Sequence, residues 1–155
     1  MKYNVSEKSG YLVGLLFGRE TAGEMHEFLR AVVQENKTYR RSSIFLDVRS
    51  SRPLFHNERP GLFDFFKELA GDPSCKIALL GDTRDLCISH EYVALLAQQQ
   101  GLRVRSFRDR AAVLAWLNER RRRTERRHQQ ERRGQLEERR RLHRRAGPED
   151  HRRAL

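Results

Sequence analysis

Two short, nearly unbroken apolar runs set the strongest constraint on the fold: Ile44-Phe45-Leu46-Asp47-Val48 and Lys76-Ile77-Ala78-Leu79-Leu80. A strand with one wet face alternates polar and apolar residues; a run of this kind needs cover on both faces. A parallel sheet with helices packed on it supplies that cover. Helical signals lie between and around the runs. Met25, Phe28, Leu29, Val32 and Val33 recur at helical spacing behind a capping box, Thr21-Ala22-Gly23-Glu24. Pro60 can open a second helix, with Leu62, Phe63, Phe66, Leu69 and Ala70 on the inner face and Gly71 as the stop. A third helix is expected from Asp85 to Gln99, with Leu86, Val93, Leu96 and Ala97 inward and Gly101 in a left-handed C-cap.

The ends complete the pattern. Tyr3 to Val5 and Tyr11 to Phe17 flank Ser6-Glu7-Lys8-Ser9-Gly10, which reads as an antiparallel hairpin. Leu102 to Phe107 is the last strand, and Asp109 caps a final helix carrying Ala112, Val113, Trp116 and Leu117. The expected order is β-β-α-β-α-β-α-β-α. This is an α/β fold: one mixed, mostly parallel sheet of five strands with an N-terminal hairpin and four helices.

Beyond Leu117 the character changes. Residues 1–117 carry a net charge of +3 and residues 118–155 carry +8, out of +11 for the 155-residue chain. Every aromatic lies in the first part, and only five hydrophobic residues fall in the last 38, too few for a core. The expected organisation is a domain over 1–117 and an arginine-rich helical or disordered extension over 118–155. Glu119 with Arg123 and Glu137 with Arg141 sit at helix-pairing distance, so the last helix is expected to run outward as a solvated rod. Gly134 would weaken it, and Gly147-Pro148 would end it. This arithmetic excludes a two-domain enzyme, a disulfide-rich scaffold and a polytopic membrane protein. Glu7 and Lys8 interrupt the N-terminus before any export-type apolar run, so the expected location is cytoplasmic, with Cys75 and Cys87 reduced and unbridged.

The hairpin leading into Gly18-Arg19-Glu20-Thr21, the two central runs and the closing segment carry a resemblance. That segment is Gly101-Leu102-Arg103-Val104-Arg105-Ser106-Phe107-Arg108-Asp109 through Ala115-Trp116-Leu117. Over residues 1–117 the chain resembles the bacterial STAS-like family, the SpoIIAA-like relatives of anti-sigma factor antagonists. The resemblance implies a non-enzymatic module that binds a partner protein, a nucleotide or a small apolar molecule. The phosphorylatable serine of the antagonists sits in an Asp-Ser-Ser-Gly motif at a helix start. Here Phe55-His56-Asn57-Glu58-Arg59-Pro60-Gly61 has no serine, and Ser50 and Ser51 lie closer to the strand. The phospho-switch therefore does not carry over.

Candidate site residues cluster where open α/β sheets bind ligands, at the C-terminal ends of the strands. Arg49, Ser50, Arg52, Phe55 and His56 combine cations, an aromatic and an imidazole in one loop. Phe65 is expected to be partly exposed beside them, because helix positions 63 and 65 point about 200° apart. Asp82 and Thr83 join a strand to a helix N-terminus, where an anion can be held; Asp82 also reads as a helix cap or turn residue. The expected ligand is an unidentified partner protein or a small apolar or anionic molecule, with no cofactor and no metal. His26, His56 and His90 lack metal-ligand spacing, and His26 and His90 are expected on helix surfaces. An enzyme reading would rest on Asp47 and Asp82. The hairpin edge offers a surface for a homodimer, without a residue pattern that specifies one. In the tail, Arg120, Arg121, Arg122, Arg123, Arg126, Arg127, Arg132, Arg133, Arg139, Arg140 and Arg141 form the alternative site, a nonspecific nucleic-acid contact. Guanidinium groups suit phosphate, but no aromatic is present to stack on bases.

Overall fold

The structure, a computed structural model, describes residues 2–53, 59–119 and 135–136. Contacts divide the chain into Met1–Leu117 and Asn118–Leu155. The first unit is built on a five-stranded sheet, β1 (Lys2–Lys8), β2 (Tyr11–Phe17), β3 (Ser43–Asp47), β4 (Lys76–Leu80) and β5 (Arg103–Phe107), in the spatial order β1-β2-β3-β4-β5. β1 and β2 are antiparallel; every other pair is parallel. The helices are α1 (Ala22–Tyr39), α2 (Arg59–Leu69), α3 (Arg84–Gln99) and α4, residues 110–119. The expected continuation of α4 into the tail lies outside the described residues, apart from helical residues 135–136.

The hairpin turn is shorter than its sequence suggests. Ser9 (φ 47°) and Gly10 (φ 92°) both take positive φ. A two-residue turn of that kind matches the strand twist, so Ser6, Glu7 and Lys8 join the ladder instead of the loop. The Glu7 carboxylate accepts the Gly10 amide at 3.0 Å and pairs with Arg41 at 3.0 Å.

The central strands bury both faces, as their apolar runs require. Leu12, Leu16, Ile44, Leu46, Ile77 and Leu79 meet the layer formed by α1, α2 and α3. Val13, Phe45, Ala78 and Leu80 point the other way, against Val113 and Leu117 of α4. Burying one such side chain contributes about 1.5–3 kcal/mol, so each face holds its helices by area alone. A charged residue at the start of β4 is accommodated in the second layer: the Lys76 ammonium is buried, donates to the Trp116 carbonyl at 2.7 Å and lies 5.1 Å from that indole.

Helix ends follow the local chemistry. Thr21 Oγ1 accepts the Glu24 amide at 3.3 Å, while the Glu24 carboxylate accepts the Glu20 and Thr21 amides at 2.7 and 3.0 Å. Those two amides hold the Glu24 carboxyl down to about 2. At the end of α3, Gly101 (φ 79°) and Leu102 donate back to the Gln98 and Ala97 carbonyls, a Schellman closure over the buried Leu102.

Two expectations about helix faces are corrected. On α2 the inward stripe is Leu62, Phe65, Phe66 and Leu69. Phe65 is buried, at 4 % exposure, and Phe63 is the outward ring at 36 %. Ala70 falls beyond the helix and is exposed. That set makes one continuous i, i+3, i+4, i+7 stripe, and Phe63 lies off it. On α3, His90 is buried at 4 % exposure, since it shares the inward face with Leu86, Val93 and Ala97.

Gly14 on β2 lets α1 sit close. A Cβ there would fall 2.8 Å from the Phe28 ring and 2.9 Å from Leu46 Cδ2. Gly14→Ala is expected to destabilise the domain by about 1–3 kcal/mol through overpacking, read as a lower urea midpoint at unchanged slope. Phe28→Leu in the same chain should recover part of the loss. A midpoint equal to wild type would contradict this packing.

Candidate functional site

The loop after β3 crosses the C-terminal ends of β2 and β4, and its backbone is held amide by amide. Val48 donates to the Leu80 carbonyl at 3.1 Å, extending the β3–β4 ladder by one residue. Arg49 donates to Asp47 Oδ1 at 3.3 Å. Ser50 donates to both carboxylate oxygens of Asp82, at 3.3 and 3.2 Å. Ser51 donates to the Val48 carbonyl at 3.2 Å, and its hydroxyl to the Leu16 carbonyl at 3.4 Å. Ser50 takes φ 61°, a left-handed conformation that costs a non-glycine residue about 1–2 kcal/mol. The Asp82 carboxylate across the gap holds the amide of that strained residue.

The loop's carbonyls are held from below. Arg19, 1 % exposed, lies just past β2. Its Nη2 donates to the Pro53 carbonyl at 2.8 Å and to the Arg52 carbonyl, and its Nη1 reaches the Thr21 carbonyl at 3.5 Å. A guanidinium is costly to bury unless its donors are satisfied. The Arg52 and Pro53 carbonyls are therefore tied to the β2–α1 connection, 33 and 34 residues away in sequence.

The acidic residues at this end are engaged in the same framework. The buried Asp47 carboxylate takes a two-point fork from Arg49, Nε at 2.9 Å and Nη2 at 2.7 Å. Bidentate pairing of this kind gives direction as well as energy. The Arg49 side chain stays 46 % exposed, so its outer edge faces solvent. Of the two expectations for Asp82, helix cap or turn residue, the structure has the second: it lies in the bend before α3, whose N-cap is Thr83, with the Thr83 hydroxyl accepting the Leu86 amide at 3.2 Å. That bond uses one of the free amides on which anion binding at this terminus would draw.

The structure thus brings Arg49, Ser50, Arg52, Asp82 and Thr83 together at one end of the sheet. Phe65 lies beneath them as a buried ring, not beside them as an exposed one. Phe55 and His56, and all the tail arginines, lie outside the described residues. Sequence reasoning passed over Arg19 as a site residue. Its only signal is a cation directly after the Gly18 that ends an apolar strand. Cys87 on α3 is buried and receives the Arg108 Nε–H at 3.4 Å, while burial and Asp72 push the Cys75 thiol up to about 12. Among the described residues no three His, Cys, Asp or Glu side chains are grouped to hold a metal ion, and no helix is long and apolar enough to cross a membrane.

His90 carries the clearest electrostatic signature. Burial lowers its imidazole from 6.5 to about 4, and its Nδ1 lies 3.5 Å from Ser106 Oγ. The unfolded chain takes up this proton first as pH falls. Stability is then complete above pH 6.5 and declines between about 6.5 and 4, by about 3 kcal/mol in total. His90→Leu is expected to remove that slope from the urea midpoint over this interval. Parallel pH profiles for wild type and variant would contradict the assignment.

No family model matches the sequence, and no curated protein shows a significant match. Among solved structures, the crystal structure of an anti-sigma factor antagonist from Mycobacterium paratuberculosis is similar, with a TM-score of 0.56 at 12% identity, over 76% of this chain and 93% of that one. The likeness is one of fold, and it agrees with the order β-β-α-β-α-β-α-β-α, the hairpin at one edge and the parallel remainder. The domain has a STAS-like fold.

Proposed function

We propose that the domain is a non-catalytic regulatory module of a bacterial cytoplasm, and that the loop over the C-terminal end of the sheet docks a partner protein. The observation that carries this reading is the pinned loop. Residues 48–53 are ordered by bonds to β2, β4, the β2–α1 connection and Asp82, although Arg49, Ser50 and Arg52 are exposed. A loop ordered before binding loses little entropy on association, which favours recognition. The Asp47 and Asp82 carboxylates are bound into the loop framework, which supports binding over acid–base chemistry. The outward cations Arg49 and Arg52 suit an acidic patch on the partner. The structural neighbour is named for another protein, the anti-sigma factor that it antagonises.

A photo-crosslinking residue at Arg52 is expected to yield a discrete adduct in cells of the source organism. The same residue at Leu95, exposed and three turns down α3, should not. Asp82→Ala should abolish the adduct by freeing the Ser50 amide. Equal labelling from both positions, or none from Arg52, would overturn the docking surface.

A second reading rests on one observation of sequence. Residues 120–145 hold 13 arginines and no lysine. We propose nonspecific phosphate contact for this segment, with a steep salt dependence. Fluorescence anisotropy with labelled RNA and DNA should show binding by the full chain that weakens linearly in log salt and disappears on removing residues 119–155. Binding that is insensitive to salt or to the truncation would contradict it.

A further inference from the structure

Between the sheet and the layer of α1, α2 and α3 the packing leaves a cavity of about 40 Å³. One water needs roughly 10–15 Å³ of such space, so the void is larger than the gaps usual in a protein interior. Leu46, Ile77 and Leu79 form its floor, and Phe28, Phe65 and Val93 its walls. Ser51, Arg52, Ser89 and His90 reach its rim.

The chemistry of the lining excludes most occupants. The interior surface is almost entirely carbon, and a water there would lack the two to four polar partners that retain one. The rim groups offer little. The Ser51 hydroxyl donates to the Leu16 carbonyl, and His90 Nδ1 faces Ser106. His90 is uncharged at neutral pH. An ion entering the cavity would exchange its hydration shell for a carbon lining, with the solvent-exposed Arg52 at the rim as the one charged side chain in reach. The walls are also fixed. The Phe28 ring is seated on Gly14 and the His90 ring on Gly81, where added Cβ atoms would lie 2.8 and 3.0 Å away. Neither ring can swing toward the sheet to close the space.

We propose that this cavity is a binding site for the short, compact apolar group of a small neutral molecule. The inference deepens the regulatory reading above, because Ser51 and Arg52 belong both to the docking loop and to the cavity rim. Occupancy beneath the loop would then be sensed on the surface that meets the partner.

The test uses the full chain with 13C-labelled Ile, Leu, Val and Met methyls. The probes are xenon under pressure and 1-butanol, with butylammonium as the charged counterpart. Saturable shifts are expected at Met25, Leu46, Ile77, Leu79 and Val93 with xenon and with butanol, and none with butylammonium. Leu80 and Leu117, on the opposite face of the sheet, should not move. Val93→Ile, and separately Val104→Ile, should weaken both neutral probes by about tenfold through partial filling of the space. Either variant suffices if its Leu80 and Leu117 methyls keep their wild-type positions. Shifts that grow without saturating, equal shifts at Leu80 and Leu117, or equal binding of butylammonium would overturn the site. The readout is internal. Its failure with an intact Arg52 crosslink removes the ligand alone, and loss of the crosslink with intact titrations removes the docking surface alone.

Discussion

The upper end of the sheet depends on one buried cation. Arg19 sits under the loop that follows β3 and gives its donors to the Arg52 and Pro53 carbonyls. A buried guanidinium must find acceptors, and these carbonyls need donors once they lie against the protein. At Nη2 the two requirements meet, so the path of the loop at Arg52 and Pro53 is tied to the end of β2. Asp82 adds the second fixed point by accepting the Ser50 amide, and the Leu80 carbonyl adds a third through Val48. The exposed side chains of Arg49, Ser50 and Arg52 project from a backbone that has little freedom left. On the proposed reading, this is what prepares a segment without regular secondary structure as a recognition surface.

This arrangement presupposes a sheet that is buried on both faces. The alternation of Ile44, Leu46, Ile77 and Leu79 with Phe45, Ala78 and Leu80 binds three helices on one side and α4 on the other. Parallel pairing of β2 to β5 then places the ends of four strands at one edge, with each following connection on the same side. The hairpin that begins the chain supplies β2 without a crossover helix, so the first connection at this edge starts at Gly18-Arg19. The cavity belongs to the same geometry. It lies where two glycines, Gly14 on β2 and Gly81 just past β4, receive large rings from α1 and α3, beneath the loop after β3.

Much of this was legible in the sequence. The capping box at Thr21, the left-handed Gly101 and the buried runs of β3 and β4 are local signals, and each element forms where its signal lies. The closing strand and its Ala-x-Trp-Leu helix carried the STAS-like resemblance that the structural comparison supports. Periodicity was less decisive on short helices. Over the 11 residues of α2 two stripes compete, and packing against α1 selected Phe65 over Phe63. His90 read as a surface group because a lone histidine carries no label for burial. The loop bonds were out of reach for a different reason. Ser50 and Asp82 are 32 residues apart, and Arg19 and Pro53 are 34 apart. Such pairings depend on strand order and register, which local pattern does not encode.

Amide hydrogen exchange of residues 48–51, compared between wild type and Asp82→Ala, tests the account most directly. A loop held in place before any partner arrives should show protected Val48, Ser50 and Ser51 amides in the free protein. Asp82→Ala should deprotect Ser50 and Ser51 while Ile77, Leu79 and the rest of the β3–β4 ladder keep their wild-type rates. Exchange of the Ser50 and Ser51 amides at unprotected rates in the wild-type protein would contradict the claim that the surface is built before it binds.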